Sequence, residues 1–138
     1  MSVVLQQIAV MERRSAFRPQ RVLLVDDTAD LRELWRLWLI GWGFAVEEAR
    51  NGAEAVEKAR CCPPDLILMD LAMPVLNGRE AMELLASDPV TALVPVLAMS
   101  AQANVLGTSD ERQRFIPKPA EPEHLLEQIR VTLRGGAA

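Results

Sequence analysis

Leu66-Ile67-Leu68-Met69-Asp70 is the stretch on which the reading of the fold turns. Four large apolar residues in an unbroken run leave no polar face. Such a run fits a strand covered on both sides, and strands of that kind belong to parallel sheets packed between helices. The run stops on a carboxylate. Upstream, Val22-Leu23-Leu24-Val25 has the same form and stops on Asp26-Asp27. Downstream, Val94-Pro95-Val96-Leu97-Ala98-Met99 ends on Ser100, with Pro95 near its start, where a missing N–H is tolerated. Phe44 to Ala49 and the short Phe115-Ile116 complete five strands, and Lys118 closes the last.

Helical stretches separate the strands. Thr28 is the expected cap of a helix running to about Ile40, ended by Gly41 and Gly43. Gly52 to about Arg60 reads as a second helix, stopped before Pro63-Pro64, and Asn77 to Ala86 as a third. Pro122 sits in the first turn of a last helix whose core face is Leu125, Leu126, Ile129 and Leu133. This alternation predicts an α/β sandwich with a parallel sheet. In such sheets ligands sit beyond the carboxyl ends of the strands. That rule gathers Asp26, Asp27, Asp70, Ser100 and Lys118 at one edge. The segment from Ala101 to Arg114 is different. Val105 and Leu106 are its only large apolar residues, Gly107 follows them, and a full amphipathic helix is not expected there.

The chain of 138 residues suits one domain. Residues 21–134 form it in this reading, residues 135–138 are a tail, and residues 1–20 stand apart. Val4, Ile8 and Met11 fall on one side of a short helix there, followed by Arg13, Arg14 and Arg18. Three readings of that extension stay open: a frayed tail, a start codon set too early with Met11 as the true start, or a helix docking on the domain or a partner. Net charge is −4, so a nucleic-acid-binding surface is not expected. Cys61 and Cys62 are adjacent, without the spaced pairs of a zinc site, and one histidine cannot build a histidine metal cage. No apolar run reaches membrane length, and no export signal is visible. A reduced cytoplasmic setting is expected.

Three carboxylates converging at one sheet edge repel one another, and a divalent cation offsets that repulsion. Hard oxygen donors favour Mg²⁺, with Mn²⁺ as an alternative. Ser100 adds a hydroxyl and Lys118 a mobile positive charge. A carboxylate nucleophile, a metal site and a lysine are the parts required to accept a phosphoryl group. Taken singly, each residue has a plainer explanation: an Asp after a strand is usually a cap, a Ser a turn residue, a Lys-Pro pair a loop. Their joint occurrence at successive strand ends carries the argument.

Residues 21–134 resemble the receiver domains of two-component response regulators. The markers are Val25-Asp26-Asp27, Asp70-Leu71-Ala72-Met73-Pro74 with Asn77-Gly78, Met99-Ser100-Ala101 and Lys118-Pro119. The resemblance implies a flavodoxin-like three-layer sandwich with strand order 2-1-3-4-5. It implies Asp70 as phosphoacceptor, Asp27 on Mg²⁺ directly, Asp26 largely through water, and the Ala72 carbonyl as a further ligand. Ser100 and Lys118 would contact the phosphoryl group, with Ser100 and Phe115 as switch residues. A cis Lys118–Pro119 peptide is expected, and position 72, with Gln102, would tune dephosphorylation. A histidine kinase or histidine phosphotransfer protein would be the donor. Output would run through an unidentified protein or a phosphorelay, because no effector domain follows residue 134. The domain would catalyse only its own phosphotransfer and dephosphorylation, and oligomeric state stays open.

Two features depart from that pattern. Only seventeen residues separate Ser100 from Lys118, so the helix usual there is expected to be short or irregular. The chain has no tyrosine, so the switch aromatic three residues before the lysine is Phe115. Trp35, Trp38 and Trp42 lie on and just beyond the first helix, where kinases of this family dock. Leu31, Leu34 and Leu39 are expected to supply its core contacts, with Trp38 the tryptophan expected in the core. Two other functions fit the sequence less well. A haloacid-dehalogenase-type phosphohydrolase needs Asp-x-Asp, but Thr28 follows Asp26-Asp27. A pseudo-receiver without phosphoacceptor activity conflicts with five filled positions.

Overall fold

Five parallel strands form one sheet in the order β2-β1-β3-β4-β5. They are β1 (Arg21–Val25), β2 (Ala45–Ala49), β3 (Leu66–Asp70), β4 (Val96–Ser100) and β5 (Gln113–Pro117). Among the described residues, four helices connect or follow them: α1 (Ala29–Gly41), α2 (Gly52–Cys61), α3 (Gly78–Ser87) and α4 (Pro122–Gly136). The structure is a computed structural model, and it describes residues 18–71, 78–100, 113–118 and 120–136. Expectations for the extension before Arg18, for Ala72, Asn77, Gln102 and the stretch 101–112, and for the Lys118–Pro119 peptide lie outside the described residues.

The central strands bury both faces. Leu23, Val25, Ile67, Met69, Val96 and Ala98 point to one side, where Ala55 and Ala59 of α2 and Ala81, Met82 and Leu85 of α3 cover them. Small alanines let these two helices approach the sheet closely. Val22, Leu24, Leu66, Leu68, Leu97, Met99 and Ile116 point to the other side, against Leu39 of α1 and Leu125 and Ile129 of α4. Leu133 packs there only in part. The alternation explains the unbroken apolar runs: period-two side chains need two apolar layers. Strand β2 lies at an edge and places Glu47 and Glu48 there, which discourages further pairing.

Several boundaries differ from expectation. β4 begins at Val96, so Val94 and Pro95 precede it, and the Pro95 carbonyl accepts from the Ile67 N–H at 3.0 Å. β5 is longer than Phe115-Ile116 because it follows the register of β4, pairing Val96 with Gln113 through Ser100 with Pro117. Thr28 occupies the N-cap position of α1, but its side chain makes no cap bond. Asn51, unremarked in the sequence, caps α2 by accepting from the Glu54 N–H at 2.8 Å. Gly43 takes a φ of 96° after α1, a conformation that L side chains rarely adopt.

The tryptophans reverse the expected order. Trp35 and Trp42 pack against the core with Leu39. Trp38 is 42 % exposed, as are Leu31 (43 %) and Leu34 (49 %), which were expected to be core residues. Leu39, Trp35 and Trp42 share the side of the helix turned to the sheet. Trp38 lies around the turn and meets solvent while tilted against Trp42 at a ring distance of 5.6 Å.

Candidate functional site

The backbone after β1 is held first. The Asp26 N–H donates to the Ala49 carbonyl at 3.1 Å, which carries the sheet pattern one residue past Val25. The Asp26 carboxylate accepts from the Thr28 N–H at 2.9 Å, turning the chain into α1. Arg32, one turn into that helix, donates to the Asp26 carbonyl at 2.9 Å and to the Glu48 carboxylate at 3.2 Å. Sequence reasoning missed Arg32, since nothing in its neighbourhood distinguishes it from an ordinary helix-surface charge.

β3 ends on Asp70, which is 4 % exposed. The next residue stays tied to the sheet, because the Leu71 N–H donates to the Met99 carbonyl at 3.1 Å. α3 then starts at Gly78 almost on top of that turn. A Cβ added at Gly78 would lie 2.7 Å from Leu71 Cα and 2.8 Å from the Asp70 carbonyl oxygen. Gly78 is thus required by close backbone approach, not by an unusual dihedral. In the sequence Gly78 stands out through the Asn77-Gly78 marker, which does not reveal the backbone contact that requires it.

β4 and β5 deliver the remaining groups. Ser100 is the last residue of β4 and half-buried, and its carbonyl accepts from the Lys118 N–H at 3.0 Å. That bond extends the β4–β5 ladder and fixes Lys118 beside the sheet edge. The Lys118 ammonium Nζ reaches Asp70 Oδ1 at 2.6 Å. Phe115 is elsewhere: half-buried in β5, it packs against the α2–α3 layer opposite Ala98.

The carboxylate oxygens of Asp26, Asp27 and Asp70 lie within 4.8 Å of one another. Asp26 is 2 % exposed, whereas Asp27 faces solvent. Burial pushes the Asp26 carboxyl above its ordinary value, the Thr28 N–H opposes that rise, and the nearby Asp70 charge adds to it. Three hard oxygen donors, one of them open to water, fit a Mg²⁺-sized cation that retains part of its hydration shell. Of the five residues predicted to share the edge, Asp26, Asp27, Asp70 and Lys118 form one cluster, and Ser100 borders it through the backbone of Lys118. No helix among the described residues is long and apolar enough to cross a membrane.

Comparison with known proteins agrees with this arrangement. The sequence profile of the response regulator receiver domain matches residues 22–130. The chain is 38 % identical over 117 residues to the chemotaxis protein CheY of Thermotoga maritima, covering 80 % of this chain and 94 % of that protein. It is 34 % identical over 119 residues to the DNA-binding response regulator MtrA of Mycobacterium tuberculosis, covering 83 % of this chain. It spans about half of that relative's length, 51 %. The receiver domain of sensor histidine kinase PA1611 from Pseudomonas aeruginosa, solved with a magnesium ion in its active site cleft, superposes with a TM-score of 0.75 at 25 % identity. That likeness covers 85 % of this chain and 99 % of the other. With its five-stranded parallel sheet and an acidic cluster beyond the strand ends, the chain belongs to the response regulator receiver domain family.

Proposed function

We propose that this receiver domain accepts a phosphoryl group on Asp70 from a histidine kinase or histidine phosphotransfer protein, and signals by altered partner binding or phosphorelay. The observation that carries the proposal is the 2.6 Å contact of Lys118 Nζ with Asp70 Oδ1 inside a cluster of three carboxylates. A nucleophilic carboxylate beside a cation is what transfer of a doubly charged phosphoryl group requires.

One Asp70 oxygen attacks phosphorus in line while the bond from phosphorus to the donor atom breaks, its electron pair leaving with the donor. Lys118, on a flexible stem, moves from the unphosphorylated carboxylate to the incoming phosphoryl oxygens. The Ser100 hydroxyl donates to the same group once it is in place. Asp26, Asp27, Asp70 and the Ala72 carbonyl would hold Mg²⁺, which supplies neutralisation of the phosphoryl charge when bound. Phe115 would read the shift of Ser100 along the β4–β5 pair. The same residues support hydrolysis of the acyl phosphate, so the domain would limit its own signal. The net charge of −4 favours output to protein partners over direct contact with nucleic acid.

Incubation with a small phosphodonor and Mg²⁺, followed by phosphate-affinity electrophoresis, tests the proposal. A retarded, acid-labile band that disappears with EDTA is expected. Failure to label at any donor concentration would favour a pseudo-receiver.

A further inference from the structure

Helix α1 is apolar on two sides, and the domain uses only one of them. Trp35, Leu39 and Trp42 face the sheet. Leu34, Leu37, Trp38, Gly41 and Trp42 line an open groove of about 380 Å³ on the outer side. Leu37 is 55 % and Leu34 49 % exposed there. A helix apolar around most of its circumference is ordinarily covered on both sides, and a contiguous outer patch marks a docking surface.

We propose that residues 3–11 of this chain cover that groove. Three observations select this occupant. First, Val4, Ile8 and Met11 recur at spacings of four and three, matching the Leu34, Leu37, Trp38, Gly41 row. The row runs over eight residues of helix, about 10 Å from end to end, and residues 4–11 would span the same length as a helix. Second, the chain enters the domain at the right end. The Gln20 carbonyl accepts from the Ala45 N–H at 2.9 Å, and Ala45 lies four residues past Gly41, where the groove ends. Residues 12–19 reach at most about 27 Å when extended, enough to lay residues 3–11 back along α1. Third, tethering by so short a linker gives an effective concentration in the millimolar range, roughly, which a second copy or a separate partner rarely matches. This cover is independent of the phosphoacceptor reading.

Trp38 and Trp42 line this groove while Trp35 packs against the core, so a change in tryptophan emission and quenching reports the cover. Acrylamide quenching should be measured on the full chain at two protein concentrations, for the parent, for Val4→Asp with Ile8→Asp, and for Gln6→Asp on the opposite side of the segment. The paired substitutions should raise quenching severalfold and shift emission to the red, with Gln6→Asp matching the parent at both concentrations. Reciprocally, Leu37→Asp should remove amide-exchange protection from residues 3–11. Unchanged quenching in the paired variant would overturn the proposal. So would quenching that falls as protein concentration rises in parent and variant alike, since a second copy would then be the cover.

Discussion

Asp26 has a buried carboxyl with two other carboxylates beside it. Burial, ahead of the Asp70 charge, raises its pKa above 3.8. The sign of the stability effect follows. Below 3.8 both folded and unfolded chains hold the proton, and Asp26 costs nothing. As pH rises through the raised folded value, the native state must ionise a buried group, and stability is lost. Asp26→Asn keeps a carbonyl to accept from the Thr28 N–H but removes the charge. In EDTA the variant should exceed the parent by about 1 kcal/mol at neutral pH, the ordinary size of a single-site effect. That excess should shrink toward zero as pH falls below 3.8. Stabilisation by added Mg²⁺ should also fall in the variant. Urea unfolding at stepped pH, with and without Mg²⁺, reads all three. At Gly78 the cost runs the other way. Gly78→Ala forces a methyl group against Leu71 Cα and the Asp70 carbonyl, backbone atoms that cannot swing aside. A loss of about 1–3 kcal/mol is expected, as for overpacking elsewhere, with metal affinity weakened because the turn after Asp70 must move. A thermal melt within error of the parent would contradict the contact.

Helix α1 shows where an element can and cannot be read from its sequence. β1 and β3 were legible because an unbroken apolar run has no polar face to misassign, and their terminal carboxylates followed from strand polarity. α1 offered no such contrast. Its apolar residues wrap around most of the cylinder, so period alone did not choose between the side bearing Trp35, Leu39 and Trp42 and the side bearing Leu34, Leu37 and Trp38. Packing on the sheet buries the first of these sides. Trp35→Ala should therefore cost about 2–3 kcal/mol, somewhat less than a fully buried tryptophan. Trp38→Ala should cost below about 1 kcal/mol, as for surface positions. Equal losses in chemical denaturation would mean that the burial order is wrong. The ends of β5 and the cap on α2 were obscure for another reason. β5 is extended by pairing with β4, and Asn51 acts through a bond to Glu54 that its type permits without requiring.

For the whole molecule, the sheet order brings together residues far apart in sequence. β1 lies between β2 and β3, so Asp26-Asp27 and Asp70 end on adjacent strands. β4 and β5 then carry Ser100 and Lys118 to the same edge. The acidic cluster and its lysine were legible once polarity and strand ends were known. The roles of Arg32 and Gly78 were not, since both depend on backbone approach in three dimensions. The central claim is that this edge makes Asp70, and no other residue, an acyl-phosphate acceptor. Borohydride reduction after treatment with a small phosphodonor and Mg²⁺ converts an aspartyl phosphate to homoserine, and peptide mass mapping then locates it. Homoserine is expected at position 70 alone, and none in Asp70→Asn. Homoserine at position 26 or 27 of the parent protein, or a label surviving in Asp70→Asn, would contradict it.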